Sequence, residues 1–410
     1  MKKAIIISLI ICFFLISTSS LALANQNNAS KANDYPIVFL HGFMGWGEKN
    51  SSGENYFGGE YSIIENLNNS GYKAFSPDLG SLASNWDRAC ELYAYLVGGK
   101  VDYGKSHSEK CGHDRYGKTY PGVMPKFQEN NQKIHLIGHS MGGLTARLFA
   151  HLLKNGSQDE IQSTPSNELS PLFKGGNSNI FSITTIQTPH NGSQDANNKG
   201  ALINAIKKIV FPSTSSSYEN PDLNDLKLDQ WGISRKSSKS YKEYIEKILA
   251  SDAIRYMKDF GMYDLTPEAC RDFNERVPAI DDIYYFSLST QDTYKSRITG
   301  FHYPNKGMRS NFVLTSLRMG METSSKENMV PITNEWWAND GVVSVISAKY
   351  PILNSKDEHV EYKGNPKPGV WNYLGNIQNT DHLDTIRDKK PNPILTEKYL
   401  NLANMLQSLN

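Results

Sequence analysis

The 410-residue chain has few cysteines and almost no net charge, and each shortage excludes a class of protein. Cys12 lies in an N-terminal apolar run, and the three cysteines that follow it are too few for a disulfide framework. One pair with one thiol left over, or three reduced thiols, are both compatible with this number, and we expect no stabilising disulfide. The 43 basic and 42 acidic side chains leave a net charge of +1, so we expect no nucleic acid as a partner.

The N-terminal apolar run is too short to span a membrane. It covers residues 4–16, whereas a spanning helix needs roughly 20 residues. Two lysines precede it and Ala-Leu-Ala follows at residues 22–24, an order typical of a secretory signal peptide. We therefore expect cleavage after Ala24, a flexible leader over residues 25–34, and a secreted protein without a stable membrane anchor.

Apolar strand patterns alternate with helical patterns along the rest of the chain. The strand patterns cover residues 35–43, 72–80, 133–140, 179–192 and 282–290. Helical patterns lie between several of them, which predicts an α/β fold with a mostly parallel central sheet. Residues 81–127 and 193–275 break this rhythm, and we interpret them as insertions into one domain over residues 35–410.

Residues 138–142, Gly-His-Ser-Met-Gly, match the pattern G-x-S-x-G. An apolar strand precedes them and a helical pattern follows, which is the context of a nucleophile elbow. In such an elbow the serine hydroxyl points away from the edge of the sheet. The alternative is a buried serine in an ordinary strand-to-helix turn, but the context favours Ser140 as a nucleophile.

A serine nucleophile needs a base and an acid, and in α/β-hydrolases the chain order is Ser, acid, His. This order leaves His302, His359 and His382 as bases, and we favour His382 because it follows the last sheet-like segment. The residues alone leave two candidates for the acid of the triad. Asp292 directly follows a strand, whereas Asp340 lies in an Asn-Asp-Gly sequence that is also typical of a plain turn.

An oxyanion hole requires two backbone amides close to the nucleophile. One is the amide of the residue after the serine, Met141, and the other comes from a loop after an early strand. Phe43 has this second position, because the first strand ends at His41-Gly42. A simple strand-ending turn is the alternative interpretation.

Six segments occur in order between about residues 35 and 400: PIVFLHGFMGWG, GHSMGGLTARL, TTIQTPHNGS, KLDQWG, NDGVVSVIS and DHLD. Together they resemble the secreted lipases of staphylococci and of thermophilic bacilli, and the elbow is similar to the staphylococcal form. The resemblance implies an α/β-hydrolase with a catalytic triad and an oxyanion hole. The triad is Ser140, Asp340 and His382, and the oxyanion donors are Phe43 and Met141.

The resemblance also implies a helical lid and a zinc site. The amphipathic stretch 201–211 falls where a lid is needed, although a core-packing helix has the same pattern. Similar lipases hold zinc through two Asp and two His in the first insertion. The matching residues are Asp87, His107, His113 and Asp229. Two imidazoles and two carboxylates make a closed tetrahedral set, which is a structural site. Cys111 lies between the two histidines, either as a competing ligand or as a packing side chain.

Members of this family also bind calcium beside the catalytic histidine. They use a glycine carbonyl, an acid just after the histidine, a further aspartate and a following backbone carbonyl. Gly307 and Asp384 match the first two ligands. An extra residue in HLDTIRDKKPNP places Asp388, the match for the third, one step early.

These features predict a secreted lipase that hydrolyses acylglycerol esters at an oil–water interface through an acyl-enzyme. A phospholipase or a short-chain carboxylesterase on the same triad is the alternative, because loop geometry decides the choice of substrate. A non-catalytic exported binding protein is a third interpretation. The presence of all three triad residues argues against it.

Overall fold

The computed structural model describes residues 31–50, 53–128, 132–197, 227–234, 238, 240–251, 259–387 and 393–410. The predicted signal peptide, most of the predicted leader and the predicted lid helix 201–211 lie outside the described residues. Within the ranges just given, no helix has both the length and the apolar character needed to cross a membrane.

Seven strands form one parallel sheet at the centre of the fold. The strands of the described residues are β1 (Ile37–Leu40), β2 (Ala74–Phe75), β3 (Gly99–Asp102), β4 (Tyr116–Tyr120), β5 (Ile134–His139), β6 (Ile180–Ile186), β7 (Tyr284–Gln291), β8 (Thr293–Lys295), β9 (His302–Pro304), β10 (Glu358–Glu361) and β11 (Val370–Gln378). The order in the sheet is β10-β11-β7-β6-β5-β1-β2, and all neighbouring strands are parallel. The other four strands form the antiparallel hairpins β3–β4 and β8–β9.

The five strands predicted from the sequence coincide with β1, β2, β5, β6 and β7. Strands β10 and β11 extend the sheet beyond them. The sequence did not reveal β10 because all four of its residues are exposed, so it lacks an apolar run. The insertion at 81–127 holds the hairpin β3–β4, although its sequence has no plain strand pattern.

Helices cover both faces of the sheet. They are α1 (Ile63–Asn69), α2 (Asn85–Val97), α3 (Lys105–Cys111), α4 (Met141–Asn155), α5 (Gln158–Ser163), α6 (Pro171–Lys174), α7 (Tyr241–Ala250), α8 (Gly261–Asp264), α9 (Pro267–Arg276), α10 (Ser310–Met319), α11 (Val345–Lys349) and α12 (Pro393–Gln407). Short 3₁₀ helices cover Gln194–Asn197, Asp229–Trp231 and Asn334–Trp336. Side-chain caps start several helices, as at α2, where the Ser84 hydroxyl accepts a hydrogen bond from Asp87 N.

Strand β1 illustrates why these apolar runs become buried strands. Its four residues are fully buried, and they alternate between two cores. Val38 and Leu40 pack in the core that contains α2 and α4, whereas Ile37 and Phe39 pack in the core that contains α1 and α12. Because successive side chains point to opposite faces, a strand covered on both faces must be apolar at every position.

The order of the strands also determines where a site can form. The chain passes from β1 to β2 on one side of β1, and later returns to place β5 on the other side. Such a change of direction opens a crevice at the carboxyl ends of the two central strands. Residues 41–43 follow β1 and Ser140 follows β5, so both lie at this crevice.

Candidate active site

Ser140 occupies a strained turn between β5 and α4. Its φ is 55° and its ψ is −130°, values that non-glycine residues rarely adopt. The neighbouring glycines are required by close backbone approaches. A Cβ atom at Gly138 would lie 2.4 Å from Gly143 N, and one at Gly142 would lie 2.2 Å from Leu40 O. The turn is therefore a nucleophile elbow in its geometry, with the serine at the start of a 15-residue helix.

Asp340 and His382 are joined by a buried hydrogen bond. His382 Nδ1 lies 2.8 Å from Asp340 Oδ2, and the His382 backbone N–H donates to the Asp340 carbonyl at 3.0 Å. The other carboxylate oxygen, Oδ1, accepts from the amides of Val342 and Val343 at 3.0 and 2.8 Å. Because an ionised carboxylate can only accept, Nδ1 carries the proton and Nε2 has a free lone pair. This is the tautomer that a general base needs.

His139 joins the elbow to residues 379–387, which we call the base loop. Its ring centroid lies 4.8 Å from that of His382, and its Nε2 donates to the His382 carbonyl at 3.0 Å. The Tyr56 hydroxyl therefore donates to its Nδ1, at 2.8 Å. Burial, followed by the neighbouring His382, lowers the pKa of His139 well below its usual value. Because the neutral His139 directly precedes Ser140, its hydrogen bond to the His382 carbonyl holds the base loop against the elbow.

The loop after β1 lies against the elbow. A Cβ atom at Gly42 would be 2.8 Å from Ser140 Cβ, and the Gly42 amide donates to the Tyr56 hydroxyl at 2.9 Å. Phe43 is the next residue, and Met141 is the first residue of α4, whose amide has no partner within the helix. Both backbone amides proposed as oxyanion donors therefore belong to segments next to Ser140.

Arg88 stabilises the loop after β1 through buried hydrogen bonds. It is fully buried, and its guanidinium donates to the His41 carbonyl, to Gly80 O at 3.1 Å and to Thr145 Oγ1 at 3.1 Å. Burial lowers the pKa of Arg88 to about 10, so the side chain is still charged at neutral pH. No sequence pattern predicts this contact, because Arg88 is distant in the chain from both the loop and the elbow.

The other candidates for acid and base lie elsewhere. Asp292 is buried, and its Oδ1 accepts from the Asn305 side chain at 2.9 Å. His359 is exposed on β10 and stacks on Tyr350 at 3.8 Å. His302 contacts Thr293 Oγ1 at 3.4 Å. The described residues thus bring Asp340, rather than Asp292, to the ring of His382.

A second cluster brings two carboxylates and two imidazoles together beside α2 and α3. His107 Nε2 lies 3.2 Å from Asp87 Oδ1 and 3.1 Å from Asp259 Oδ1. His113 Nε2 lies 3.0 Å from Asp259 Oδ2 and 3.9 Å from Asp87 Oδ1. Four facing atoms, Asp87 Oδ1, His107 Nε2, His113 Nε2 and Asp259 Oδ2, are buried without a well-formed hydrogen bond among the described residues.

The cluster has the dimensions of a metal site. Ligand atoms at about 2.0–2.1 Å from a tetrahedral ion lie roughly 3.3 Å from one another. The separations of 3.0–3.9 Å bracket that value. Cys111 also belongs to this group of potential ligands, but its Sγ lies 3.9 Å from His107 Nδ1, whereas the carboxylates of Asp87 and Asp259 contact Nε2 of that ring. The arrangement therefore favours Asp87 over Cys111 as the fourth ligand.

Asp259, rather than the predicted Asp229, completes this cluster. Asp229 is exposed at the start of a short 3₁₀ helix, and the neighbouring Gln230 points inward to Asp87 Oδ2 at 2.8 Å. The prediction of Asp229 as a ligand is therefore corrected. Asp259 has no distinctive sequence context, and it reaches the cluster only because residues 259–264 fold back against the start of α2. There Leu82 O accepts a hydrogen bond from Gly261 N, and Asn85 N donates to Asp264 Oδ2 at 2.6 Å.

The charges of the cluster depend on one another. Burial and the neighbouring Asp259 raise the pKa of Asp87 to about 6. Burial also opposes ionisation of Asp259, but its contacts with His107 and His113 outweigh this and hold its pKa below the usual value. Two buried carboxylates around the same pair of imidazoles need a positive partner, which either protonated imidazoles or a divalent cation supplies.

Asp384, which is expected to bind calcium, has another partner. Asp384 Oδ1 accepts from Arg309 Nη1 at 2.6 Å, and Gly307 lies two residues before this arginine. Asp388 lies outside the described residues. A guanidinium group in contact with the carboxylate does not fit a calcium ion at the same oxygen.

Comparisons with known proteins agree with this geometry. The family model described as "Lipase-like, C-terminal domain" matches residues 33–407. The chain is similar to Lipase 2 of Staphylococcus aureus strain MRSA252, with 38% identity over 88% of this chain and 51% of that protein. It thus spans about half the length of the curated relatives it matches.

Two solved structures are similar over nearly the whole chain. The structure of EstA from Clostridium botulinum has a TM-score of 0.87 and 40% identity, covering 93% of this chain and 90% of that one. Staphylococcus hyicus lipase has a TM-score of 0.76 and 36% identity, covering 94% and 98%. These matches confirm the predicted fold class and the predicted resemblance to staphylococcal lipases.

Proposed function

Because the chain belongs to the family described as "Lipase-like, C-terminal domain", we propose that it is a lipase that hydrolyses acylglycerol esters. The observation that carries the proposal is the 2.8 Å hydrogen bond between His382 and Asp340. His382 belongs to the base loop, which contacts the elbow through His139. The hydrogen bond to Asp340 supports a proton relay at a serine held in a strained strand-to-helix turn.

In the proposed mechanism Ser140 Oγ attacks the ester carbonyl and His382 Nε2 accepts its proton. The amides of Phe43 and Met141 donate to the oxyanion of the tetrahedral intermediate. The intermediate collapses to an acyl-enzyme while His382 gives its proton to the leaving alcohol. Water then attacks the acyl-enzyme in the same way and releases the fatty acid. Asp340 holds the imidazole in the required tautomer and stabilises its protonated form.

We further propose that the second cluster holds a structural zinc ion. Asp87, His107, His113 and Asp259 would be its ligands, and their four facing atoms support this assignment. A set of four protein ligands leaves no open position for water, so the ion would tie segments together rather than take part in hydrolysis. Phe260 follows Asp259 and packs edge-to-face on Phe43 at 5.9 Å, so the cluster also supports the oxyanion loop.

Asp259→Asn is expected to remove most of the bound zinc and to lower Tm by about 5 °C or more, because a structural metal contributes directly to folding. Asp229→Asn serves as the matched control and should behave like the unchanged protein. Metal content is measured by elemental analysis and Tm by calorimetry. Loss of zinc in the Asp229 variant alone would refute the assignment.

Substrate class is tested by a profile of fatty-acid release. Triacylglycerol emulsions of graded chain length, soluble short-chain esters and phospholipid vesicles are compared at equal enzyme concentration. We expect hydrolysis of emulsified triacylglycerols. Activity on soluble short-chain esters alone would identify the protein as a carboxylesterase instead of a lipase. Preferential release of fatty acid from phospholipids would identify it as a phospholipase.

We also propose that the protein is exported. The order of basic, apolar and small residues at its N-terminus supports this, and sequencing of the N-terminus of secreted material tests it. Residue 25 is the expected first residue, whereas an intact Met1 would contradict the proposal. The lid at 201–211 stays a prediction.

A further inference from the structure

A guanidinium group lies at the position where the family resemblance predicts a calcium ion. We propose that Arg309 takes the place of the cation and positions the base loop by direct ionic contact. The proposal rests on the proposed function only in that the base loop carries His382.

Arg309 binds three groups of the base loop at once. Its Nη1 contacts the Asp381 carboxylate and donates to Asp384 Oδ1 at 2.6 Å. Its Nη2 donates to the Arg387 carbonyl at 2.9 Å. Two carboxylates and a backbone carbonyl are the oxygen ligands that calcium prefers, and one side chain engages all three.

The carboxylate of Asp381 is fully buried and is satisfied by protein donors. Besides the guanidinium, it accepts from Arg309 N at 3.0 Å and from Leu383 N at 3.1 Å. Asp384 Oδ2 accepts from Asp381 N at 3.0 Å. Calcium takes six to eight oxygen ligands at about 2.3–2.6 Å. A cationic group in contact with both carboxylates repels a second cation and occupies the space it needs.

Arg309 lies at the start of a helix and is largely buried. It precedes the first residue of α10, and its side chain is only 17% exposed. Gly307, the expected carbonyl ligand, lies on the same segment. This segment therefore supplies a positive side chain where the resemblance implies a carbonyl and an ion.

The contact constrains the residue that is proposed as base. Asp381 and Asp384 flank His382 in the chain, so Arg309 holds the base loop on both sides of the imidazole. We therefore assign Arg309 as a positioning residue, since it acts through the loop and not on the substrate.

The test compares the mature protein with Arg309→Ala and Arg309→Lys in buffers stripped of calcium by a chelating resin. Arg271→Ala is the matched control, because it removes an arginine that pairs with Asp272 at the surface. Tm, bound calcium and zinc by elemental analysis, and kcat and KM for an ester are measured before and after addition of calcium.

The unchanged protein is expected to bind no calcium, and its Tm should not respond to calcium. Arg309→Ala should lose about 5 °C in Tm, because two neighbouring carboxylates lose the guanidinium that neutralises them. Its kcat should fall roughly 10–100-fold with little change in KM, since the base and not the substrate pocket is displaced. Added calcium should restore most of both losses with about one ion bound, and Arg309→Lys should lose less.

Stoichiometric calcium in the unchanged protein, with a rise in Tm on its addition, would overturn the proposal without any variant. So would an Arg309→Ala protein that matches Arg271→Ala, or one that is destabilised and does not respond to calcium. Tm and metal content do not depend on ester hydrolysis. An unchanged protein that hydrolyses no ester would therefore contradict only the proposed function.

Discussion

Ser140→Ala is expected to lower kcat for ester hydrolysis by about 10⁶-fold, because the attacking oxygen itself is removed. The helix α4 and the elbow should persist, since the side chain makes no capping bond and Ala is compatible with the start of a helix. The strained φ of 55° is imposed by the close approaches of the flanking glycines, which the change does not alter.

Two measurements check this result. Initial rates on an emulsified triacylglycerol give the loss of kcat, and labelling with a fluorescent organophosphonate reports the reactive serine directly. Ser325→Ala removes an exposed serine and serves as control, with full labelling expected. Retained labelling or retained hydrolysis in the Ser140→Ala protein would end the proposed mechanism.

Asp340→Asn is expected to lower kcat by about 10⁴-fold with an unchanged fold. The carboxylate accepts the proton of His382 Nδ1 at 2.8 Å, which keeps Nε2 unprotonated towards the serine. An amide at this position presents either an NH₂ group, which favours the wrong tautomer, or a neutral oxygen, which does not stabilise the imidazolium. Thermal unfolding of both proteins separates loss of the fold from loss of the base.

Asp292→Asn is the matched control for this change, because both acids were open from the sequence. Its Oδ1 accepts from the Asn305 side chain, and the described contacts of His382 do not include it. We expect kcat within about tenfold of the unchanged protein, since the change alters a hydrogen bond to Asn305 and no described contact of His382. A large loss of kcat in Asp292→Asn with near-normal activity in Asp340→Asn would reverse the assignment of the acid.

Local patterns were sufficient where neighbours in the chain decide the structure. The strand β5, the turn at Ser140 and the helix α4 are contiguous, so glycine spacing and apolar periodicity predict all three. Strand β10 was not predicted, because an edge strand with exposed side chains has no apolar run. The order of residues along the chain reduced the candidates to three histidines for the base and two aspartates for the acid. The contact between His382 and Asp340 in the structure then distinguishes among these candidates.

The sequence by itself determined the α/β sheet, the elbow and a short set of partners for Ser140, because these follow from local periodicity and from the fixed order of the fold. Only the tertiary structure decided which side chains meet across distant loops. Asp259 in the second cluster and Arg309 at the base loop are examples, since neither has a distinctive neighbour in the chain. Burial forces charges from separate segments into contact, and their identity depends on how the loops close rather than on spacing.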